Sequence, residues 1–145
     1  MGAPTAIQTV AASVGARPVI LRIGADRGDA RFAQRALENA GMPHLVIRLH
    51  DAEEAVKYLS GESPYHHRNA YPMPALILWD LMSPITSGVD LLDWIQRQPQ
   101  LASIPVTVLV TSFVEHKAAR NIGSVVWEAK PGDFSEFLSI VRRRL

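Results

Sequence analysis

Short apolar runs alternate with segments of helical periodicity from Pro18 to the end of the chain. The apolar runs are almost continuous, which is typical of strands buried in a parallel sheet that is covered on both faces. In the segments between them, apolar residues recur every three or four positions, as on one face of a helix. This alternation predicts an open, doubly wound α/β domain. The predicted strands are 18–24, 44–50, 75–80, 105–110 and 124–130, and the predicted helices are 31–41, 51–61, 88–98, 115–123 and 134–145.

Residues 1–17 precede this pattern and are rich in Ala, Gly, Ser and Thr. They lack the basic start and the long apolar centre of a signal peptide. No apolar run in the chain approaches the length of a membrane span. We therefore expect a flexible tail over 1–17, followed by one domain over 18–145 that does not enter a membrane.

The net charge and the absence of cysteine exclude some classes of binding partner and of chemical reaction. The net charge of +1 creates no strong field toward nucleic acid, so we expect no nucleic-acid partner. The basic residues at 142–144 suit the last turn of a helix, where cations complement the helix dipole. The chain has no cysteine, which excludes disulfides, thiol catalysis and cysteine-type zinc sites and fits a cytoplasmic protein.

A single acidic residue, Asp80, ends the apolar run of the third predicted strand. In open α/β sheets, ligands bind outside the carboxyl ends of the strands, at the point where the strand order reverses. Asp80 is therefore the first candidate for a functional side chain. No glycine-rich phosphate loop follows the first strand, because GADRGD at 24–29 matches neither a dinucleotide-binding loop nor a P-loop.

Three stretches carry a resemblance to a known family. They are ILWDLMSPITSG at 77–88, IPVTVLVTS at 104–112 and IGSVVWEAKP at 122–131. Over about 18–141 the chain resembles the receiver domain of bacterial two-component response regulators. The stretches at 61–74 and 91–106 are similar to the single-domain regulators that accompany phytochrome-type kinases. The resemblance implies a flavodoxin-like, five-stranded parallel sheet of order 2-1-3-4-5 with five helices.

The resemblance also implies roles for individual residues. Asp80 matches the aspartate that accepts phosphate from a histidine kinase, and Lys130 matches the lysine that contacts the phosphoryl group. Trp127 matches the aromatic switch position on the fifth strand. The implied partner is a histidine kinase or another signalling protein, and the implied module is not an enzyme. A homodimer through the face formed by helix 115–123, strand 124–130 and helix 134–145 is a further expectation.

The metal pocket of an ordinary receiver is degenerate in this sequence. Receivers carry two adjacent acids after the first strand, whereas this chain has Gly24 and Ala25 there. Mg²⁺ requires hard oxygen ligands, so we expect no cofactor and impaired Mg²⁺ binding. A bulge at Gly24 could bring Asp26 into the pocket. The other interpretation is that Asp26 or Asp29 caps the following helix.

The fourth strand departs from the receiver pattern as well. Val110 stands where receivers place a Thr or Ser, and Thr111 has a hydroxyl but points to the opposite face unless the register slips. We expect packing to hold Val110 and Trp127 in one arrangement. With the two acids gone, Asp80 and Lys130 have a formal charge near zero, so a cation is no longer required and a direct ion pair between them would weaken Asp80 as a nucleophile.

These features predict an atypical, stand-alone receiver in a two-component phosphorelay. It would act by protein–protein interaction, with weak or no phosphorylation at Asp80. One alternative is a working phosphoacceptor whose metal is held by Asp26 or by backbone groups. Another is a small-ligand binder or an enzyme on a flavodoxin-like scaffold, although no nucleophile–base pair is visible.

Overall fold

The computed structural model describes residues 17–80, 85–110 and 125–145 of the chain. Five strands form one sheet in the order β2-β1-β3-β4-β5, and each neighbouring pair is parallel. This confirms the predicted doubly wound, flavodoxin-like sheet. The strands are β1 (Val19–Ile23), β2 (Leu45–Leu49), β3 (Leu76–Asp80), β4 (Val106–Val110) and β5 (Val126–Ala129).

The described part of the chain contains four α-helices. The fourth predicted helix, 115–123, lies outside the described residues, as do residues 1–16 of the predicted tail. The third helix begins three residues earlier than the 88–98 pattern indicates, so that it contains Gly88. The helices are α1 (Arg27–Asn39), α2 (Ala52–Ser60), α3 (Ile85–Arg97) and α4 (Phe134–Arg144).

Aspartates set the first residue of three of these helices. The carboxylates of Asp26, Asp51 and Asp133 each accept a hydrogen bond from the backbone N–H three residues on, at 2.7 to 2.9 Å. Such caps satisfy an N–H group that has no partner within the helix. The cap at Asp26 explains why α1 begins at Arg27, four residues before the apolar periodicity starts at Arg31.

The sheet divides the core into two layers. Helices α2 and α3 cover one face, where they pack on Leu21, Ile23 and Val108, and helices α1 and α4 cover the other face, where they pack on Ile20 and Leu78. Side chains along a strand alternate between the faces. Arg22 therefore lies on the α1/α4 face of β1, where it is 1% exposed.

Strand β2 is an outer strand of this sheet, and side chains cover part of its free edge. The amide of Gln34 on α1 accepts from the Val46 N–H at 2.8 Å and donates to the His44 carbonyl at 3.2 Å. Arg17 donates to the carbonyls of Pro43 and His44. Arg17 thus belongs to the folded domain, one residue before the predicted boundary at Pro18. Within the described residues, no helix is long and apolar enough to cross a membrane.

Candidate functional site

Asp80 is the last residue of β3 and is 3% exposed. Its carboxylate is bonded on both oxygens to one guanidinium: Arg22 Nε lies 2.9 Å from Oδ1, and Arg22 Nη2 lies 3.1 Å from Oδ2. This is the parallel, two-bond arrangement in which arginine binds a carboxylate most strongly. The principal partner of the predicted phosphoacceptor is therefore Arg22, which the sequence analysis did not identify.

Arg22 reaches Asp80 from the neighbouring strand β1. It stands opposite Leu78 in the register of β1 and β3, two residues before Asp80. Its guanidinium also lies 5.8 Å from the ring centre of Phe137, and its Nη1 is 3.4 Å from the carbonyl oxygen of Asp29. One signal in the sequence pointed to this role: a charged residue inside an apolar strand is costly to bury unless a partner neutralises it.

Lys130 lies directly after β5, and its ammonium faces two carboxylates. It is 2.6 Å from Asp29 Oδ2 and 3.4 Å from Asp80 Oδ2. The expected contact between Lys130 and Asp80 is present, but the shorter ion pair is with Asp29. The hydrogen bond to Asp29 raises the pKa of the Lys130 ammonium; burial opposes this shift, and the charge of Asp80 adds to it.

The formal charge of the site is zero, as the sequence analysis expected, but it arises from four groups rather than two. Arg22 and Lys130 balance Asp29 and Asp80. Asp29 was considered only as a possible helix cap. Its ion pair with Lys130 was not foreseen, because the two residues are 101 positions apart in the chain.

The three residues of the degenerate metal pocket bring no carboxylate to Asp80. Gly24 has a φ of +82°, and a Cβ atom added there would lie 2.7 Å from the backbone oxygen of Asp80. Ala25 is buried, and its carbonyl accepts from Arg48 Nε at 2.8 Å. Asp26 is exposed and caps α1. The backbone at Gly24 is thus unusual, as the sequence analysis allowed, but Asp26 serves the helix.

These residues do not fit the Mg²⁺ ion that the family resemblance implies. The ion prefers several oxygen ligands in near-octahedral geometry. Among the described residues, no group of three or more His, Asp or Glu side chains is placed to hold a metal ion. Both carboxylate oxygens of Asp80 already accept hydrogen bonds from a cation.

The predicted switch positions are only partly described. Val110 is buried at the end of β4, and its carbonyl accepts from the Lys130 N–H at 2.9 Å. Trp127 pairs with Val108 in the register of β4 and β5, and its indole is buried in the core on the α2/α3 face. Thr111 lies outside the described residues. The switch roles of these residues stay predictions.

Comparison with known proteins places the chain in a family. No protein-family model matches the chain. A protein described as "Response regulator Rcp1", from Synechocystis sp., is 36% identical over 97 residues, which cover 67% of this chain and 64% of that protein. The match therefore spans slightly less than two thirds of that protein's length. "Probable methanogenesis regulatory protein FilR2", from Methanothrix harundinacea, is 32% identical over 120 residues, covering 81% of this chain and 75% of that protein.

Solved structures agree with these relatives. The structure of the "Phosphorylated Cyanobacterial Phytochrome Response Regulator RcpA" superposes with a TM-score of 0.71 at 32% identity, covering 88% of this chain and 91% of that one. The family resemblance based on three sequence stretches is thus confirmed by the sequence identity to these relatives and by the superposition of the backbones. The chain belongs to the response regulators of two-component signalling, as a receiver domain.

Proposed function

We propose that this chain is an atypical, stand-alone receiver that acts by protein–protein interaction, with little or no phosphorylation at Asp80. One observation carries the proposal: both oxygens of the buried Asp80 carboxylate are bonded to Arg22. A phosphoacceptor must direct a free oxygen lone pair at phosphorus. The hydrogen bond on each Asp80 oxygen withdraws electron density and so lowers its nucleophilicity, and breaking the pair would leave the buried Arg22 guanidinium without its carboxylate partner.

The charge balance supports the same conclusion. A phosphoryl group adds about −1.5 to −2 charge at neutral pH. In the described site only Arg22 and Lys130 offset negative charge, and Asp29 already engages Lys130. Phosphoryl transfer depends on positioning and on charge neutralisation. The loss of one stabilising donor alone slows such reactions by about 10²–10³-fold.

The proposed partner is a histidine kinase or another signalling protein, and the proposed place of action is the cytoplasm. Relatives described as phytochrome response regulators favour a kinase of the phytochrome type. In this proposal the chain itself is not an enzyme. A homodimer through the α4 and β5 side is part of the proposal, together with helix 115–123, which lies outside the described residues.

A second candidate is a working phosphoacceptor switch, favoured by the relative whose structure is that of a phosphorylated protein. In that case backbone groups or Asp26 would have to hold the metal. The hydrogen bond from the Asp29 N–H to the Asp26 carboxylate weighs against Asp26, because the cap would be lost if the side chain turned inward.

Intact-mass measurement tests the proposal. The protein is incubated with a small-molecule phosphodonor, with and without Mg²⁺, beside an Asp80→Ala variant and an ordinary receiver that labels. We expect no adduct on this chain under conditions in which the ordinary receiver is labelled. A phosphate adduct that depends on both Asp80 and Mg²⁺, formed at the rate of the ordinary receiver, would overturn the proposal in favour of the switch.

A further inference from the structure

The positive charge beside Asp80 is part of the polypeptide. We propose that Arg22 is the resident cation of this receiver: its guanidinium has the electrostatic role that a divalent ion has in the receivers it resembles, so that Asp80 is neutralised whether or not Mg²⁺ is present. The inference deepens the proposed function and rests on it, because it names the cation that takes the place of the metal at the Asp80 carboxylate.

The first support is the permanence of the charge. An arginine guanidinium is a permanent cation in proteins, unlike a bound metal ion, which can dissociate. The side chains of Arg22 and Asp80 are only 2% and 3% exposed. Water therefore screens the pair very little, and a Mg²⁺ ion approaching the Asp80 carboxylate would meet a buried cation on both of its oxygens.

The second support is that Arg22 is fixed in place. Beyond Asp80, its guanidinium contacts the Asp29 carbonyl and lies over the Phe137 ring. A cation over an aromatic face gains a favourable interaction, which is larger where both are desolvated. Turning Arg22 away from Asp80 would lose these contacts, leave a buried guanidinium without a carboxylate and leave Asp80 with Lys130 alone, at 3.4 Å. These contacts thus hold the guanidinium in a fixed position within the site.

The third support is the backbone at Gly24. The residue lies in the left-handed region, and any side chain there would meet the Asp80 carbonyl oxygen at 2.7 Å. The first acid of an ordinary receiver is therefore excluded by conformation as well as by sequence. Ala25 does not have a positive φ. Within the described chain, positive φ occurs at Gly24, Gly41 and Gly61. Of the two acid positions of an ordinary receiver, 25 is therefore the one at which φ allows a carboxylate.

The wild type and three variants separate the effect of Arg22 on Mg²⁺ binding from the effect of net charge. The described site is neutral, with two cations and two carboxylates. Ala25→Asp and Arg22→Met each lower the formal charge by one. Arg48→Met removes one positive charge beside the site and leaves its four charged groups unchanged. Arg48 stands opposite Arg22 in the register of β1 and β2 and contacts the Ala25 carbonyl, but it has no hydrogen bond to Asp80.

The experiment titrates Mg²⁺ into chelator-treated protein and follows heat of binding and melting temperature. We expect no Asp80-dependent response for the wild type or Arg48→Met, and only a weak one for Ala25→Asp. Arg22→Met should respond, and the double variant Arg22→Met/Ala25→Asp should bind Mg²⁺ at least about tenfold more tightly than Ala25→Asp alone. Adding Asp80→Asn to the double variant should abolish the response.

Two results would overturn the inference. One is Mg²⁺ binding by the wild type that is lost in Asp80→Asn. The other is equal Mg²⁺ affinity of Ala25→Asp with and without Arg22. If Arg22→Met does not unfold cooperatively, Arg22→Gln replaces it with the same expected response, and the comparison of the wild type with Asp80→Asn does not depend on any Arg22 variant.

The outcomes distinguish this inference from the proposed function. A wild-type protein that binds Mg²⁺ through Asp80 but acquires no phosphate would refute the resident cation and leave the interaction role standing. A wild-type protein that is phosphorylated without any response to Mg²⁺ would refute the proposed function and leave the resident cation standing.

Discussion

Lys130 and Asp29, 101 residues apart in the chain, form an ion pair of 2.6 Å that joins the loop after β5 to the first turn of α1. Lys130 therefore contributes less to the neutralisation of Asp80 than the family resemblance implies. Both side chains are about one third exposed, so water screens the pair. We expect Asp29→Asn to lower the free energy of unfolding by less than about 1 kcal/mol in urea titrations. A loss several times larger would show that Asp29 supports Arg22 as well.

The same ion pair predicts a dependence on alkaline pH. The hydrogen bond to Asp29 raises the pKa of Lys130 in the folded state. The stabilisation is therefore complete below the unfolded-state pKa of about 10.4 and is lost as the pH rises through the higher folded value. Tyr58 and Tyr65, whose pKa values burial also raises, add a loss of the same sign. Urea titrations at alkaline pH should show a smaller loss for Asp29→Asn than for the wild type, since the tyrosines are common to both.

Removing Arg22 should cost far more than removing Asp29. Arg22→Met leaves the Asp80 carboxylate buried without its main partner, and we expect a loss of about 3–5 kcal/mol in the free energy of unfolding. The double variant Arg22→Met/Asp80→Asn should recover much of this loss, because no buried charge is left uncompensated. A double-mutant cycle in urea measures the coupling, and additive losses would contradict the pairing.

Gly24 and Gly41 provide a matched comparison of backbone strain. Both have positive φ, at 82° and 70°, but a Cβ atom at Gly41 would meet nothing within 4 Å. Gly41→Ala should therefore show only the cost of the left-handed conformation, about 1 kcal/mol. Gly24→Ala adds the contact with the Asp80 carbonyl and should lose distinctly more stability in thermal and urea unfolding. Equal losses would mean that the backbone at Gly24 moves aside without cost.

Asp26 and Asp133 cap helices in the same manner, but only Asp26 belongs to the predicted metal pocket. We expect Asp26→Ala and Asp133→Ala each to lower stability by about 1 kcal/mol, the usual cost of losing a cap. Neither should change the response to Mg²⁺ or to a phosphodonor. A Mg²⁺ response in the wild type that disappears in Asp26→Ala but persists in Asp133→Ala would support the switch with a metal held by Asp26.

The sequence pattern was sufficient for the sheet because its strands are continuous apolar runs and its helices have regular periodicity. The position of Asp80 followed from the end of one such run. The same pattern analysis assigned no role to Arg22, because it treated Val19–Ile23 as an apolar strand and did not ask what would neutralise its one charged residue. Its partner lies 58 residues away, and the face it occupies depends on the strand register. The ion pair of Asp29 with Lys130 was missed because an aspartate at this position is equally suited to cap the helix.

The amide of Gln34 gives the outer edge of β2 the hydrogen bonds that another strand would supply, an acceptor for Val46 and a donor for His44. An open parallel sheet is exposed to strand addition and polymerisation at such an edge. Arg17 also donates to the carbonyls of Pro43 and His44. The backbone groups of β2 at these positions are therefore not free to pair with an additional strand. Edge-to-edge pairing of β2 with a strand of another copy is thereby disfavoured at His44 and Val46, so that contacts between copies are left to other surfaces of the domain.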